Sequence, residues 1–470
     1  MPSNLPKFST RKLSFLAVSA ILISLFSAQS AFAQLSGTKS IPGDYATIAA
    51  AITDLNTQGV GPGGVTFNIA AGYSETAPVG GYEITATGTL ANPIIFQKSG
   101  VGANPLITAY AGGNSKQRFT TKHDGIWRMV GTDYLTIDRL SFQENPANTT
   151  DSLMMEYAIG FYKTGASNGC QNNTVQNCII SLSRNNDSTA TSTNTEVADG
   201  SCGIFMANTT VNSSSAALTL TSMAGTNSFN HFYSNTISNV NTGIYLRGYN
   251  DLNAPFSFYD QQNDIGGNSV ATGNNIVNFG GGVGNSSMPL AVGVRAFYQN
   301  NCNISYNTIN NNDGNGVSHQ NGIQCIFFTA PNYSNLTISN NTLTAKYNSV
   351  AAPSFTFLSS PNVIDHSGGS LLANSVLNVT NNIITGCNVP NVYSSGLTLI
   401  NLTGSPLTIN VTGNQLYNDT LNSPGIFTGI ASGAGTAGST TNILNNQVYN
   451  IYKQLPNTTS TQNRILDRKS

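Results

Sequence analysis

The sequence has few charged residues, and this shortage excludes whole classes of partner. Only 8% of its 470 residues are Asp, Glu, Lys or Arg, and the formal net charge is -1. A protein that binds nucleic acid or an anionic lipid surface needs a concentrated positive patch, which this composition does not supply. We therefore expect no nucleic acid and no lipid surface among its partners.

Long apolar runs are missing beyond residue 33, where no segment approaches the roughly 18 consecutive apolar residues of a transmembrane helix. At the amino terminus, a basic stretch precedes an apolar stretch, 13–28, and Ala31-Phe32-Ala33 follows. This is the pattern of a secretory signal peptide with its cleavage site. We predict a signal peptide over 1–33, export to the extracellular space or outer surface of a bacterium, and no membrane span in the mature chain.

Cysteine is scarce, and no pair shows the CxxC spacing of a zinc site. In an exported chain cysteines can pair as disulfides. These six are widely separated, however, and several occupy apolar strand positions. We expect most of them to be buried small apolar side chains, with disulfides as the alternative. They are Cys170, Cys178, Cys202, Cys302, Cys325 and Cys387.

Asn, Thr, Ser and Gly interleave with Ile, Val and Leu, a pattern that predicts many short strands. Within it, an apolar-x-x-Asn-x-apolar motif recurs at intervals of 32 to 58 residues. One period fills one supersecondary unit, and the varied interval indicates loops inserted into a regular coil. The repeated asparagines are Asn177, Asn235, Asn274, Asn307, Asn341, Asn382, Asn414 and Asn446.

The repeated asparagine predicts a ladder of hydrogen bonds. Asn tolerates the left-handed backbone conformation of a sharp corner, and its amide can bond to the same amide one coil away, at about 4.8 Å. Such a ladder satisfies polar atoms inside a solenoid. We predict an all-β, right-handed, single-stranded parallel β-helix. The periodic apolar partners argue against a disordered Asn-rich tract, and the sparse leucines argue against a leucine-rich horseshoe.

The chain is predicted to divide into a cap, a solenoid and a tail. Within 34–60, apolar residues from Ile48 to Leu55 have helical spacing, and we expect a short helix that caps the solenoid. The β-helix is predicted over 61–455. The remaining segment, 456–470, is predicted to be a polar tail without strands.

Three segments near the amino terminus carry a family resemblance: DYATIAAAI at 44–52, GGVTFNIAAGYSE at 63–75 and NPIIF at 92–96. This opening resembles the amino-terminal region of secreted pectin-lyase-like β-helix proteins, including pectin-esterase-like and bacterial surface members. The resemblance covers about 40–145 and implies the fold. The sequence lacks the catalytic segments of the pectin esterases and of the polygalacturonase-like glycosidases, so no catalytic residue carries over.

A second signature, Gly followed by an apolar residue, opens an alternating segment in most units. If the apolar residue faces inward, the next residue faces outward, which predicts an outer stripe of aromatic and arginine side chains. Rings stack on sugars and guanidinium groups bind carboxylates, so this stripe is our predicted site for a polysaccharide or cell-surface glycan. Its residues are Tyr162, Phe205, Tyr245, Arg247, Arg295 and Phe297, with Gln324, Thr398 and Phe427 at matching positions of later units. The alternative is that corner loops bury the rings.

Carboxylates are too sparse to identify a catalytic pair. Glycoside hydrolysis needs two carboxylates across the sugar, and lyase chemistry usually needs acidic calcium ligands and a base. The candidates are Asp133, Asp138, Arg139, Glu144, Asp151 and Glu156, and the pairs Asp313–His319, Asp365–His366 and Asp260–Asp264. We expect mostly solvated charges here. No cofactor is identified, and calcium stays open.

These patterns predict a protein that recognises a polysaccharide along one face of the solenoid. Whether it also degrades that polysaccharide, as a lyase or a glycoside hydrolase, stays open. The alternative is a non-enzymatic surface adhesin or structural spacer, because fold does not determine function.

Overall fold

Repeated coils of short strands build the structure, which is a computed structural model. It describes 34–112, 124–150, 153–184, 200–211, 218–280, 291–311, 323–329, 331–346, 362–366, 372–390, 396–402, 406–433, 438–453 and 464–468. The predicted signal peptide, Asp151 and the Asp313–His319 pair lie outside these residues.

Three long parallel sheets run along the molecule, because equivalent strands of successive coils pair with one another. Sheet 1 has twelve strands: Leu35–Ile41, Val60–Ala70, Ile94–Ser99, Leu135–Asp138, Thr174–Gln176, His231–Tyr233, Asp264–Ile265, Cys302–Ser305, Asn335–Ser339, Leu372–Thr380, Pro406–Thr412 and Thr440–Leu444. Sheet 2 has eleven: Tyr82–Ile84, Gly125–Val130, Tyr157–Lys163, Cys202–Thr210, Thr242–Arg247, Ala291–Phe297, Ile323–Phe328, Asn362–His366, Leu397–Leu402, Phe427–Ser432 and Arg464–Arg468.

Sheet 3 also has eleven strands: Ser74–Thr76, Leu106–Thr108, Ser141–Gln143, Ile179–Ser181, Thr236–Ser238, Asn275–Val277, Thr308–Asn310, Thr342–Thr344, Ile383–Thr385, Gln415–Tyr417 and Gln447–Tyr449. Two small parallel sheets lie at corners: Asp260–Gln261 with Gln299–Asn300, and Asn388–Val389 with Thr420–Leu421 and Tyr452–Lys453. Every pairing between these strands is parallel.

The fold is therefore the predicted one, a right-handed parallel β-helix with one short helix. Its interior is filled by columns of apolar side chains in register. Ile304, Ile338 and Val379, for example, follow one another in successive coils of sheet 1 and are at most 1% exposed. The stacked columns form one core along the solenoid.

The capping helix spans Ile48–Gln58 and buries Ile48, Ile52 and Leu55, as predicted. Its amino terminus is held by the carboxylate of Glu75, which accepts the backbone N–H of Ile48 over 2.7 Å. A carboxylate at this end satisfies free N–H groups and complements the helix dipole. Glu75 belongs to the GYSE segment of the family resemblance, so that segment has a local structural role.

Both ends of the solenoid differ from the predicted boundaries. Leu35–Ile41 is already the first strand of sheet 1, so the solenoid begins within the segment predicted as a cap. The prediction of a tail without strands is wrong, because Arg464–Arg468 pairs with Phe427–Ser432 as the last strand of sheet 2. The short alternation in this segment is too weakly apolar to mark a strand from the sequence.

Seven of the eight repeated asparagines form a hydrogen-bonded column at the corner between sheets 1 and 3. Asn341 Oδ1 accepts both the Nδ2–H and the backbone N–H of Asn307, over 3.0 and 2.9 Å. Asn341 Nδ2 donates to the carbonyl oxygen of Ile304 in the preceding coil and to Asn382 Oδ1 in the next. The column consists of Asn235, Asn274, Asn307, Asn341, Asn382, Asn414 and Asn446.

The eighth asparagine, Asn177, lies outside this column, contrary to the prediction. Cys178 occupies the column position, and its backbone N–H donates to Asn235 Oδ1 over 3.0 Å. Asn177 instead has φ +54°. In the same way, the left-handed residue before Asn341 is Asn340, at φ +57°. A left-handed residue precedes six of the seven column asparagines, and Asn274, which follows Gly273, is the exception. The predicted corner position is therefore one residue too late.

A second buried column, at the opposite corner of sheet 1, was not predicted. Asn173 Nδ2 donates to Asn230 Oδ1, Asn230 Nδ2 donates to Asn263 Oδ1, and Asn263 Nδ2 donates to Gln299 Oε1. These four side chains are completely buried. The column is short and ends in a glutamine, so it leaves no long repeat in the sequence.

All six cysteines are free and buried, which confirms that they act as small apolar side chains. Burial raises the pKa of the Cys170 and Cys178 thiols to about 12. Within the described ranges, none of the helices has the length and apolar character needed to cross a membrane.

Candidate functional site

The predicted stripe lies on the outer side of sheet 2. Its strand pairing differs from the register that the Gly-apolar signature predicts. Phe205, Tyr245 and Arg295 are aligned in successive strands, and the next strand contributes Phe327 at this position. The sequence pattern instead predicts Gln324 at this position. Because the loops vary in length, the Gly-apolar signature does not begin at the same paired position in every strand.

The members at either end of the stripe are displaced as well. Gly160 is the residue aligned with Phe205, so Tyr162 lies two positions further along its strand. Phe427 was predicted outside but belongs to the core. Thr398 aligns with Thr428, outside the column of Phe205.

Three aromatic rings of the stripe are buried. Tyr162, Phe205 and Tyr245 are 2%, 1% and 3% exposed, and they form an apolar cluster separate from the solenoid core. The prediction of an exposed aromatic face is therefore wrong for these residues, and the alternative of covered rings is what the structure shows.

Arg295 packs among the aromatic side chains of the same stripe. Its guanidinium carbon lies 4.6 Å from the ring centroid of Phe297, 5.1 Å from that of Tyr245 and 5.2 Å from that of Phe327. Such cation–π contacts stabilise a partly desolvated guanidinium. Arg247, Arg295 and Phe297 are half-buried, so this end of the stripe is the part nearest to solvent.

Asp365 and His366 do not form an acid–imidazole pair. Asp365 points outward, where Asn401 Nδ2 donates to it over 2.7 Å and the Gln324 amide also donates to it. His366 packs against Phe328 with ring centroids 4.9 Å apart, and burial lowers the pKa of its imidazole to about 4. Neighbouring residues of a strand point to opposite sides, and these two follow that rule.

The Asp260–Asp264 pair is also not formed. Asp260 is completely buried beside Lys163, with Lys163 Nζ 4.0 Å from Asp260 Oδ1. Asp264 lies on the outer face of sheet 1, where it accepts hydrogen bonds from Tyr233 and Asn303. The two carboxylates therefore lie in different environments.

The carboxylates at the front of the chain are held separately. Glu144, Glu156 and Asp133 each accept a backbone N–H group, and Asp138 forms an ion pair of 2.7 Å with Arg139. Among the described residues, no group of three or more His, Cys, Asp or Glu side chains is arranged to hold a metal ion. The question of calcium therefore stays open.

The outer face of sheet 1 presents a row of polar side chains that sequence reasoning missed. Strand pairing aligns one residue from each of its twelve strands, and each of the twelve side chains is at least partly exposed. Eleven of the twelve are polar, and the exception is Ile95. The row, which we call the polar column, contains Thr38, Thr66, Ile95, Thr136, Thr174, His231, Asp264, Asn303, Thr337, Asn378, Asn410 and Asn442.

A second, shorter row runs beside the polar column on the same face. It contains Ser40, Asn68, Gln97, Asp138, Gln176 and Tyr233. All residues of both rows lie in the described ranges, and none of them is lysine or arginine. The face thus offers hydroxyl, amide and carboxylate groups, which are mainly hydrogen-bonding partners for hydroxyl-rich ligands.

His231, Tyr233 and Asp264 meet near the middle of this face. The Tyr233 hydroxyl lies 2.6 Å from Asp264 Oδ2 and 2.8 Å from His231 Nδ1. The other Asp264 oxygen accepts from Asn303 Nδ2 over 2.8 Å and from the Gly267 N–H over 3.1 Å. The triad joins two successive coils, because His231 and Asp264 are paired in register.

The surroundings of the triad shift its protonation. Burial lowers the pKa of His231, although Asp264 opposes this effect. Burial, together with the hydrogen bond and charge of Asp264, raises the pKa of the Tyr233 phenol. At neutral pH the imidazole is neutral and the phenol keeps its proton. The sequence signal was the alternation of His231 and Tyr233 across one apolar residue, but the partner carboxylate lies a full coil away.

No protein-family model and no curated protein matches the chain. Similar solved structures include the GH136 lacto-N-biosidase of Eubacterium ramulus, with a TM-score of 0.46, 11% identity, and coverage of 89% of this chain and 64% of that chain. An alginate lyase of a Paenibacillus species has a TM-score of 0.36 and 13% identity, with 90% and 99% covered. The A-module of a mannuronan C-5 epimerase of Azotobacter vinelandii has 0.34 and 12%, with 93% and 98% covered.

The chain thus spans less than two thirds of the length of the lacto-N-biosidase. At these identities the similarity concerns the β-helix fold, and no residue role is taken from it.

Proposed function

We propose that the chain is an exported β-helix protein that binds a polysaccharide along the outer face of sheet 1, across His231, Tyr233 and Asp264. The observation that carries this proposal is the polar column, a partly exposed and register-aligned row along the solenoid. A polysaccharide also repeats along one dimension, so successive sugars can meet successive coils. The proposal of export is based on the signal-peptide pattern of 1–33. The resemblance to pectin-lyase-like proteins is likewise based on the sequence.

The triad supplies the features that a sugar site needs at one point of the face. Tyr233 offers a half-exposed ring whose centroid lies 5.3 Å from that of His231, and amphipathic rings of this kind bind the apolar side of a sugar. Asp264 and Asn303 offer polar groups for orientation. Of the rings on sheet 2, those of Tyr162, Phe205 and Tyr245 are covered, so sheet 1 is the better-placed surface.

The test is a glycan-array screen of 34–470 with and without calcium, followed by affinity measurement on each polysaccharide that binds. We expect Tyr233→Ala to weaken binding by at least about tenfold, the loss of about 1.4 kcal/mol, with an unchanged circular-dichroism spectrum. Gln447→Ala is the matched control, because this exposed residue lies on sheet 3. Equal affinity of both variants, or no glycan bound, would overturn the proposal.

The half-buried end of the stripe is a second candidate, favoured by its guanidinium groups. Arg247 and Arg295 carry positive charge toward an outer surface, and such groups suit an acidic polysaccharide. Binding of acidic glycans that is lost in Arg295→Gln and retained in Tyr233→Ala would favour this surface. If the chain binds no glycan, the alternative of an adhesin or structural spacer is favoured. If a bound polysaccharide is cleaved to give reducing or unsaturated ends, the protein is also an enzyme.

A further inference from the structure

We infer that the triad holds one fixed arrangement of protons, which leaves His231 Nε2 as a hydrogen-bond acceptor beside two rows of described residues that contain no lysine or arginine. We infer that its ligand is therefore a neutral, hydroxyl-rich polysaccharide. This inference rests on the proposed function of the same face. It names the chemical class of the ligand and the atom that recognises it.

The first step is the ionised state of Asp264. One of its oxygens accepts from Asn303 Nδ2 and from the Gly267 N–H, and the other lies 2.6 Å from the Tyr233 hydroxyl. Three donors converge on this carboxyl group. Hydrogen bonds from donors favour the charged form of a carboxyl group, so Asp264 is a carboxylate that only accepts.

The second step is the proton of Tyr233. A phenol has one hydrogen to donate, and the carboxylate of Asp264 takes it. The phenol oxygen also lies 2.8 Å from His231 Nδ1, so in this second contact the oxygen must accept. His231 Nδ1 therefore carries a hydrogen.

The third step is the other ring nitrogen. A neutral imidazole has one N–H and one nitrogen with a free lone pair. Because the hydrogen is on Nδ1, the lone pair is on Nε2. His231 is partly exposed, and a ligand hydroxyl is the donor that its Nε2 atom suits.

The fourth step is the charge of the face. Strand pairing places these residues next to His231: Tyr233 on its own strand, Thr174 and Gln176 on the preceding coil, and Asp264 on the next. The carboxylate is the only charged group among them. An acidic polysaccharide would bring like charge to this carboxylate, which is destabilising.

Charges farther along the face do not offset the repulsion between Asp264 and an acidic polysaccharide. The nearest carboxylate in the second row is Asp138, and Arg139 beside it is paired with that carboxylate over 2.7 Å. The pair contributes little net charge. A neutral chain of sugars meets hydroxyl and amide groups without this repulsion.

The tautomer can be measured without a glycan. In ¹⁵N NMR of the 34–470 chain with labelled histidine, we expect His231 to show a protonated Nδ1 and an unprotonated Nε2 at pH 7.0 or above. Tyr233→Phe removes the acceptor of the Nδ1 hydrogen, and this variant should show a mixture of both tautomers. An Nε2–H tautomer in the parent chain would overturn the proton arrangement.

The ligand class is tested by comparing neutral probes with acidic ones. Soluble β-glucan, xylan and galactomannan are the neutral probes, and alginate and polygalacturonate are the acidic ones. We expect a neutral probe to bind at least about tenfold more tightly than either acidic one, and to lose affinity when His231 becomes protonated at low pH. Tighter binding of an acidic polymer that Tyr233→Ala abolishes would overturn the inference while leaving the proposed function intact. If the NMR result holds but no glycan binds, the proposed function fails instead.

Discussion

Replacing Asn341 by leucine should destabilise the solenoid far more than the same change on its outer surface. The side chain is completely buried and makes four hydrogen bonds. Leucine has a similar size, so the change leaves little cavity but removes the partner of the Asn307 N–H and of the Ile304 carbonyl oxygen. Each buried polar group left without a partner costs about 1 to 3 kcal/mol, so we expect a total loss of about 3 kcal/mol.

The matched control is Asn410→Leu. Asn410 also belongs to an asparagine row, in which its Nδ2 donates to Asn378 Oδ1 over 2.8 Å and its Oδ1 accepts from Asn442 Nδ2 over 2.8 Å. These side chains lie on the partly exposed face of sheet 1, where water replaces lost bonds, and we expect a cost below about 0.5 kcal/mol.

Urea unfolding followed by circular dichroism gives both values, and hydrogen exchange of the Asn307 amide reports the local effect even where a repetitive fold unfolds in stages. Equal losses in Asn341→Leu and Asn410→Leu would refute the reasoning.

Three further predictions concern buried polar groups. Burial raises the pKa of Asp419 to about 7, so the native chain binds a proton that the unfolded chain releases near pH 4, and stability declines as pH rises from about 4 to 7. Asp419→Asn should remove this decline and stabilise the protein at pH 8 by at most about 4 kcal/mol in urea titrations; an unchanged pH profile would contradict this. Lys163→Met should cost about 3 kcal/mol because Asp260 is left buried without its ion-pair partner, and adding Asp260→Asn should recover most of it; no recovery would count against the pair. A thiol reagent should modify none of the six cysteines before unfolding, since burial and raised pKa values keep the thiols unreactive.

The fold could be predicted because its determinants are local and repeated. The apolar and asparagine positions around Asn307, Asn341 and Asn382 keep the same offsets in each unit, and periodicity alone reveals them. The capping helix likewise follows from the spacing of Ile48, Ile52 and Leu55. The one-residue error at Asn177 has a local cause, since Asn suits both the left-handed corner and the column that follows it.

The candidate site could not be predicted, because its parts come from different coils. Asp264 lies a full coil beyond Tyr233, and the length of the intervening loop is not set by any repeat. Loop length also varies before the strand that contains Gln324. The sequence pattern therefore pairs Gln324 with Arg295, and it misses Phe327, which is the actual partner. Burial of Tyr162 by other parts of the chain leaves no local sequence signal at all.

The asparagine column has a direction, because each side chain bonds mainly to the coil before it. The side chain of Asn341 makes three of its four hydrogen bonds to the preceding coil and one to the following coil. Each junction between successive coils holds the same three bonds: the amide oxygen of the later asparagine accepts two, and its amide nitrogen donates one to the earlier coil. Opening any one junction therefore costs the same bonds, so the stability of the corner is spread evenly along the solenoid.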